Sequence, residues 1–128
     1  MMEFGYIGIN YKNADQDIRD GVSFTDNGKI DFMEKAADAG ISQCMVLSTC
    51  NRSEVYYLVQ DTEEHKTMER LYRGNFSAIC LDEYLDFRSG KEAIAYLFRV
   101  TAGLESMVLG EDQILGQVKE ACELSQTL

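Results

Sequence analysis

The chain has 128 residues, of which 45% are apolar and 27% charged, and its formal net charge at pH 7 is -10. A chain of this length and composition is expected to fold as one domain with its own core, and no stretch is biased enough to predict disorder. The acidic balance argues against a stand-alone nucleic-acid-binding protein, because binding to phosphates depends on Lys and Arg.

The sequence predicts neither a targeting segment nor a membrane span. The first six residues lack a basic segment followed by an apolar one, and nowhere do about 18 apolar residues follow one another. The four cysteines show no paired CxxC spacing and His65 is the only histidine, which disfavours disulfides and a zinc site. We therefore expect a cytoplasmic protein with reduced thiols, no membrane contact and no metal.

Hydrophobic periodicity predicts four strands and two helices in residues 1–88: strands over 4–11, 41–48, 54–60 and 83–88, and helices over 28–39 and 62–72. Gly40 supplies the stop of the first helix. The order βαββαβ, with one tight central hairpin, matches the ferredoxin-like pattern, in which two helices cover one face of an antiparallel sheet. The predicted fold class is therefore α+β.

Residues 89–128 are predicted to be a helical extension of this sheet. In its first helix, which Gly103 ends, one face repeats at i, i+3, i+4 and i+7: Ile94, Leu97, Phe98 and Thr101. The second helix has an apolar stripe of Ile114, Val118, Ala121, Cys122 and Ser125.

Polar residues accompany the start of that second helix. Glu111 and Asp112 suit a helix N-terminus, where carboxylates are stabilised. Gln113 and Gln117 are four residues apart, so they either reach one polar ligand together or face water.

The stretch with the most specific chemistry is Ser48-Thr49-Cys50-Asn51-Arg52-Ser53-Glu54, a polar hinge between two predicted strands. A cysteine on such a hinge is displayed at a sheet edge, and the charge of Arg52 favours the reactive thiolate. A lone cysteine in a soluble protein is more often a small buried apolar residue. The polar neighbours of Cys50 favour the functional interpretation. The other three, Cys44, Cys80 and Cys122, lie on or near apolar stripes and are expected to be packing residues.

Two segments resemble one known family, the glutamyl-tRNA reductases. They are the hinge at 48–54 and the run LFRVTAGLESMVLGEDQILGQVK, which begins at Leu97 and ends at Lys119. The opening segment Gly8-Ile9-Asn10-Tyr11-Lys12, with Ile18, Arg19 and Phe24, extends the resemblance over the whole chain. This family begins tetrapyrrole (porphyrin) biosynthesis by reducing the glutamyl ester of tRNA(Glu) to glutamate-1-semialdehyde with NADPH.

The resemblance implies a role for each matching residue. Cys50 is the nucleophile that attacks the glutamyl ester and forms a thioester, which hydride then reduces. Arg52 is the partner for a substrate carboxylate, which a guanidinium can bind through two oxygens. The remaining residues that match the glutamyl pocket are Thr49, Asn51, Ser106, Glu111, Asp112, Gln113 and Gln117.

The chain departs from the family pattern at two positions. Tyr96 stands where the family usually has a histidine that assists the chemistry, and a tyrosine with an ordinary pKa of about 10 is a poor base at neutral pH. Asp112 stands where a proline is usual, which is expected to change helix entry more than chemistry. His65 lies in a charged helical stretch and is expected to be a surface residue and not a substitute for the missing histidine.

The chain contains no G-x-G-x-x-G motif, so NADPH is expected to bind to a domain that residues 1–128 do not include. The resemblance also implies a homodimer through a further domain, and a possible downstream aminomutase as partner. We expect the N-terminal catalytic domain alone, not competent for reduction. The alternative is a non-catalytic glutamyl-recognition or regulatory module, which Tyr96 supports. A purely structural ferredoxin-like domain would require both motifs to be accidental.

Overall fold

The computed structural model describes residues 2–105 and 113–127. These residues form four strands and five helices in the order β1 (Glu3–Asn10), α1 (Gln16–Gly21), α2 (Asp26–Asp38), β2 (Cys44–Ser48), β3 (Arg52–Val59), α3 (Thr62–Asn75), β4 (Asp86–Ser89), α4 (Gly90–Thr101) and α5 (Gln113–Thr127).

The four strands form one antiparallel sheet in the order β2-β3-β1-β4. Asn10 pairs with Arg52, and Ser48 pairs with Ser53. The turn between β2 and β3 therefore lies at the same end of the sheet as the end of β1. Antiparallel pairing in this order confirms the predicted ferredoxin-like α+β fold.

Helices α2 and α3 cover one face of the sheet. Side chains alternate along each strand, so every second residue points to this face. The buried strand residues on it are Ile7, Ile9, Val46, Val55, Tyr57 and Val59, and they join Phe32, Met33, Met68 and Tyr72 from the two helices in one core.

Helices α4 and α5 cover the opposite face. The strand residues there are Tyr6, Met45, Leu47 and Tyr56, packed against Ala93, Tyr96, Val100, Val118 and Ala121. The helical extension is thus part of the same domain, because it buries the second face of the sheet.

The predicted apolar stripe of α4 is wrong, although the helix itself is present. Ile94 is 42% exposed and Phe98 is 70% exposed, whereas Ala93, Tyr96 and Val100 are buried. The face with Tyr96 points inward because the Tyr96 ring packs against the Tyr6 ring of β1 and the Tyr96 hydroxyl donates to buried Glu54. A pattern of apolar residues alone cannot predict that the hydroxyl of a tyrosine is bound in the interior.

Two other differences concern short elements. Helix α1 was not predicted; it has six residues, begins at the N-cap Asp15 and has no buried residue, so it leaves no hydrophobic pattern. Strand β4 begins at Asp86 instead of residue 83, because backbone hydrogen bonds from Tyr84 and Leu85 to the carbonyl of Leu81 form a turn first.

The cysteines differ from one another in burial. Cys44 is buried, whereas Cys80 and Cys122 are exposed, so the prediction that all three are packing residues is wrong for the last two. Cys80 lies in the loop after α3, 3.9 Å from a carboxylate oxygen of Asp82. Cys122 lies on α5 and, although it is exposed, its sulfur contacts Met45 of the second core. Burial raises the pKa of Cys44 to about 12.

No helix in the described parts of the chain is long and apolar enough to cross a membrane. Within those same parts, no three side chains of the kinds that bind metals are grouped so that they could hold an ion.

Candidate active site

Cys50 lies on the tight turn that joins β2 to β3. The amide of Thr49 donates to the carbonyl of Arg52 at 2.8 Å, and the amide of Asn51 donates to the Thr49 hydroxyl at 3.1 Å. Cys50 is exposed, which confirms its expected display at the end of the sheet. Thr49 and Asn51 are half-buried beside it.

Arg52, the first residue of β3, is only 1% exposed. Its Nη1 donates to the carboxylate of Glu54 at 3.2 Å and to the hydroxyl of Tyr96 at 3.4 Å, and its Nη2 donates to the backbone carbonyl of Glu105. Burial, the largest single cause, would lower the pKa of Arg52, but the charge of Glu54, the hydrogen bond to it and the neighbouring tyrosines together outweigh burial and raise the pKa. Arg52 is therefore a permanent buried cation.

One nitrogen of this guanidinium has no partner. The Nε of Arg52 is buried and forms no hydrogen bond with any of the described residues. A buried donor without a partner costs free energy, so a missing acceptor at this point is itself informative. Among the described residues, the guanidinium of Arg52 therefore keeps one buried donor without an acceptor.

Glu54 is fully buried and gathers three tyrosine hydroxyls. Tyr6 donates to its Oε2 at 2.7 Å, Tyr96 donates to the same oxygen at 3.0 Å, and Tyr56 donates to its Oε1 at 3.0 Å. The Tyr96 hydroxyl also accepts from Asn10 at 3.1 Å. We refer to Glu54, Tyr6, Tyr56 and Tyr96 as the tyrosine cluster.

The pKa of each tyrosine in this cluster is raised above its ordinary value. Burial is the largest cause, and the negative charge of Glu54 is the second. Tyr96 therefore stays protonated at neutral pH and acts as a hydrogen-bond donor. The guanidinium carbon of Arg88 lies 4.2 Å from the centroid of its ring, which is close enough for a cation–π contact. Tyr96 thus contacts Arg52 through its hydroxyl, and a role of Tyr96 beside Cys50 stays a prediction.

Glu105 fixes the end of the turn that follows α4. Its side chain pairs with Lys12 and with Arg99, the latter at 3.0 Å, while its backbone carbonyl accepts from Arg52. Burial alone would raise the pKa of Glu105, but the two cations outweigh it and the pKa is lowered. Glu105, the last described residue before residue 113, is therefore held beside Arg52.

Several predicted pocket residues follow this point. Ser106, Glu111 and Asp112 lie outside the described residues, as does the side chain of Gln113. Gln117 is half-buried on α5. Helix α5 runs opposite to β2, since Ser125 bonds to the carbonyl of Cys44 and Cys122 contacts Met45, so its first turns lie towards the hinge end of the strand.

His65 does not belong to this site. Its Nε2 contacts Glu3 at 2.6 Å and its Nδ1 contacts the Tyr57 hydroxyl at 3.1 Å, at the end of β1 opposite to Asn10. A cavity of about 440 Å³ lies beside it, and another of about 400 Å³ lies between the sheet and α5, but Cys50 lines neither.

Sequence reasoning gave no role in this site to Glu54, Asn10 and Arg19, although all three lie in segments that resemble the family. The alternation of β3 could have placed Glu54 on the same face as Arg52, two residues earlier. The contacts that bring Asn10 to Tyr96 and Arg19 to Cys50 join residues far apart in sequence, so no local pattern predicts them. Arg19 donates from its Nε to the carbonyl of Cys50 at 3.2 Å.

The chain is similar to proteins of known family. It matches the family described as "Glutamyl-tRNAGlu reductase, N-terminal domain" over residues 7–128. Proteins named "Glutamyl-tRNA reductase" from Clostridium novyi (strain NT) and Alkaliphilus metalliredigens (strain QYMF) are 42% and 40% identical to it over 125 and 124 residues. These alignments cover 97% and 94% of this chain but only 30% and 29% of the two relatives.

A solved structure shows the same likeness in three dimensions. Glutamyl-tRNA reductase from Methanopyrus kandleri superposes with a TM-score of 0.75 and 30% sequence identity, over 97% of this chain and 28% of that one. The chain therefore spans less than a third of the length of the proteins that it resembles.

Proposed function

The chain belongs to the glutamyl-tRNA reductase N-terminal domain family, and from that premise we propose that it is the domain in which Cys50 takes the glutamyl group from tRNA(Glu). The observation that carries this proposal is the exposed thiol of Cys50 on the turn between β2 and β3, two residues before a buried guanidinium that has one unsatisfied donor among the described residues.

The acylation step needs only the thiolate and the ester. The Cys50 sulfur attacks the glutamyl carbonyl carbon, a carbon–sulfur bond forms, and the carbon–oxygen bond of the ester breaks. The ribose oxygen of the tRNA leaves and takes a proton from solvent, which restores the ribose hydroxyl. A thioester is more reactive than the ester that it replaces, so it suits a later hydride acceptor and is also open to hydrolysis.

Recognition of the glutamyl group is assigned to Arg52. A carboxylate oxygen of the substrate accepts a hydrogen bond from the free Nε, while Glu54 and the Glu105 carbonyl hold the rest of the guanidinium in place. Charge-assisted bonds of this kind are among the stronger ones in proteins. Thr49 and Asn51, on the same turn, are proposed to contact the acyl group, and Ser106, Glu111, Asp112, Gln113 and Gln117 to complete the pocket.

Tyr96 is proposed to support the site without acting as its base. Its hydroxyl is committed to Glu54, Asn10 and Arg52, and its pKa is raised, because it is buried and lies beside the Glu54 charge. Activation of Cys50 by Tyr96 is therefore not part of this proposal. The same observation favours the second candidate function, a glutamyl-recognition module that binds the substrate without turning it over.

The described residues do not fit NADPH at the junction where its pyrophosphate would be expected. Among the described residues, one strand leads directly into a helix through a glycine with positive φ, Gly90, and there the Glu3 carboxylate lies 3.7 Å from the position of an added Cβ. An anion at that point opposes a pyrophosphate. We propose that reduction with NADPH takes place in a part of the full-length protein outside residues 1–128. The dimer contact is proposed to lie outside these residues too. An aminomutase that accepts the aldehyde and a cytoplasmic location remain part of the same proposal.

The test mixes the chain with glutamyl-tRNA and follows loss of the ester bond and labelling of Cys50 by the glutamyl group. We expect slow deacylation through a thioester, abolished in Cys50→Ser and retained in the matched control Cys80→Ser, which removes another exposed thiol. Without a nucleotide site, no semialdehyde is expected with NADPH. Equal deacylation by wild type and Cys50→Ser would overturn the nucleophile, and tight binding without any cleavage would favour the recognition module.

A further inference from the structure

Helix α1 and the residues after it are tied to the hinge at three points. Arg19 donates to the carbonyl of Cys50 at 3.2 Å, and the amide of Phe24 donates to the Ser48 hydroxyl at 3.0 Å. The hydroxyl of Ser53 donates to the carbonyl of Val22 at 2.6 Å. The three contacts involve the end of β2, the turn and the start of β3. One segment therefore holds both strands and the turn that carries the thiol.

The guanidinium of Arg19 is itself held in place. Its Nη1 donates to the carbonyl of Ala14 at 2.7 Å, and the amide of Ala14 bonds to the carbonyl of Asn10 at the end of β1. One planar guanidinium thus binds two carbonyl acceptors, on Ala14 and Cys50. Arg19 thus connects the end of the central strand to the peptide of Cys50.

Among the described residues, Arg19 differs from four other arginines in having no ion-pair partner. Arg52, Arg73, Arg88 and Arg99 each form an ion pair with a carboxylate. Arg19 forms none with the described residues. In a chain with a net charge of -10, this positive charge of helix α1 contacts the backbone of the turn that carries the proposed nucleophile. Among the described residues, Arg19 therefore brings a cation to the Cys50 peptide, whereas Arg52 is engaged with Glu54.

We propose that Arg19 is a positioning residue for Cys50: it fixes the Cys50 peptide through the carbonyl and supplies a positive charge that draws anionic acyl donors to the thiol. The inference rests on the proposed role of Cys50 as nucleophile. The substrate class that it favours is an ester that bears negative charge near the reacting carbonyl, which a glutamyl side chain or the terminal phosphates of a tRNA provide.

The charge is tested with two small alkylating reagents of similar shape, anionic iodoacetate and neutral iodoacetamide. Alkylation of Cys50 is measured by peptide mass spectrometry, with exposed Cys80 in the same sample as internal reference. In Arg19→Gln the ratio of the iodoacetate rate to the iodoacetamide rate at Cys50 is expected to fall about two- to fivefold, the effect of one exposed charge pair. Arg19→Lys should keep the ratio. Arg70→Gln, which removes an exposed arginine from α3, should leave it unchanged.

Positioning is tested by deacylation of glutamyl-tRNA. A lysine cannot reach two carbonyls with one planar fork, so Arg19→Lys should lower the acylation rate about tenfold while it preserves the reagent ratio, because small misplacements of a reacting group are costly. Ser48→Ala removes the neighbouring anchor without a change of charge, so it should also lower the rate and leave the ratio unaltered. If Arg19→Gln unfolds the chain, these two variants still decide the question.

The results separate the two proposals. An unchanged ratio in Arg19→Gln would overturn the electrostatic role, and a wild-type acylation rate in Arg19→Lys would overturn the positioning role. If Cys50→Ser deacylates as fast as wild type, the proposed function fails, whereas the reagent ratio still reports the charge that Arg19 places beside the thiol.

Discussion

The hydroxyl of Tyr6 donates a hydrogen bond of 2.7 Å to the carboxylate of Glu54, and both side chains are completely buried. The two residues lie on neighbouring strands, where Tyr6 faces Tyr56 and Gly8 faces Glu54. A carboxylate in the interior is tolerated because three hydroxyls and one guanidinium satisfy it. The same carboxylate holds Arg52, so the stability of the second core and the geometry of the site depend on one buried charge.

Replacement of this charge is the first prediction. Glu54→Gln leaves the buried guanidinium of Arg52 without its counter-ion, and loss of one partner of a buried ion pair costs about 3–5 kcal/mol. We expect the free energy of unfolding, measured by urea denaturation, to fall by that amount. Asp31→Asn, which breaks the exposed pair with Lys35, is the control and should change it by less than about 1 kcal/mol. An equal, small effect of both variants would contradict the paired-charge account.

The variant Tyr96→His tests whether position 96 influences the reactivity of Cys50. Tyr96 lies within hydrogen-bond distance of Arg52, Glu54 and Asn10, and its raised pKa prevents it from acting as a base at neutral pH. Tyr96→His should raise the rate of Cys50 alkylation or of Cys50-dependent ester cleavage, measured at pH 7. Tyr96→Phe is the matched control, since it removes the hydroxyl without adding a base. Unchanged rates in Tyr96→His would leave the residue with a structural role only.

Alkaline pH should destabilise the fold through the tyrosine cluster. The folded-state pKa of Tyr6, Tyr56 and Tyr96 is raised, so below their ordinary pKa of about 10 both states are protonated and the stability is fully present. Above that pH the unfolded chain ionises first, and the free energy of unfolding should fall by about 1.4 kcal/mol per pH unit for each such tyrosine.

Unfolding curves measured between about pH 8 and pH 12 check this dependence, because that range spans the ordinary tyrosine pKa of about 10. Tyr56→Phe should flatten the slope, and Tyr84→Phe, outside the cluster, should not. A slope that is the same in all three proteins would show that other groups determine the alkaline limit.

Two glycines provide a pair of opposite outcomes. A Cβ at Gly5 would lie 2.3 Å from a ring carbon of Tyr57, whereas a Cβ at Gly74 has nothing within 4 Å. Gly5→Ala should destabilise the chain by about 1–3 kcal/mol through overpacking. Gly74→Ala, in helix α3, should stabilise it by about 0.5–1 kcal/mol, because alanine loses less backbone entropy than glycine. Thermal unfolding measures both, and a stabilising Gly5→Ala would refute the close contact.

The sequence by itself determined the elements and the chemically active turn. Period-2 and period-3.6 patterns are local properties, so they located β1, β2, β3, α2 and α3 within a few residues and placed Cys50 on an exposed polar hinge. The order of these elements restricted the topology to the ferredoxin-like one. The long motif after Leu97 identified the family, because it is specific without reference to structure.

Only the tertiary structure decided which side chains meet. Tyr96 and Glu54 are 42 residues apart, and Arg19 and Cys50 are 31 apart, so no local pattern links them. For α4 the apolar stripe indicated one face and the fold buries another, because satisfying a buried carboxylate outweighs the exposure of Ile94 and Phe98. Periodicity reports which residues share a face of an element, and the packing decides which face is buried. Which polar partners it finds there depends on how the helices cross the sheet.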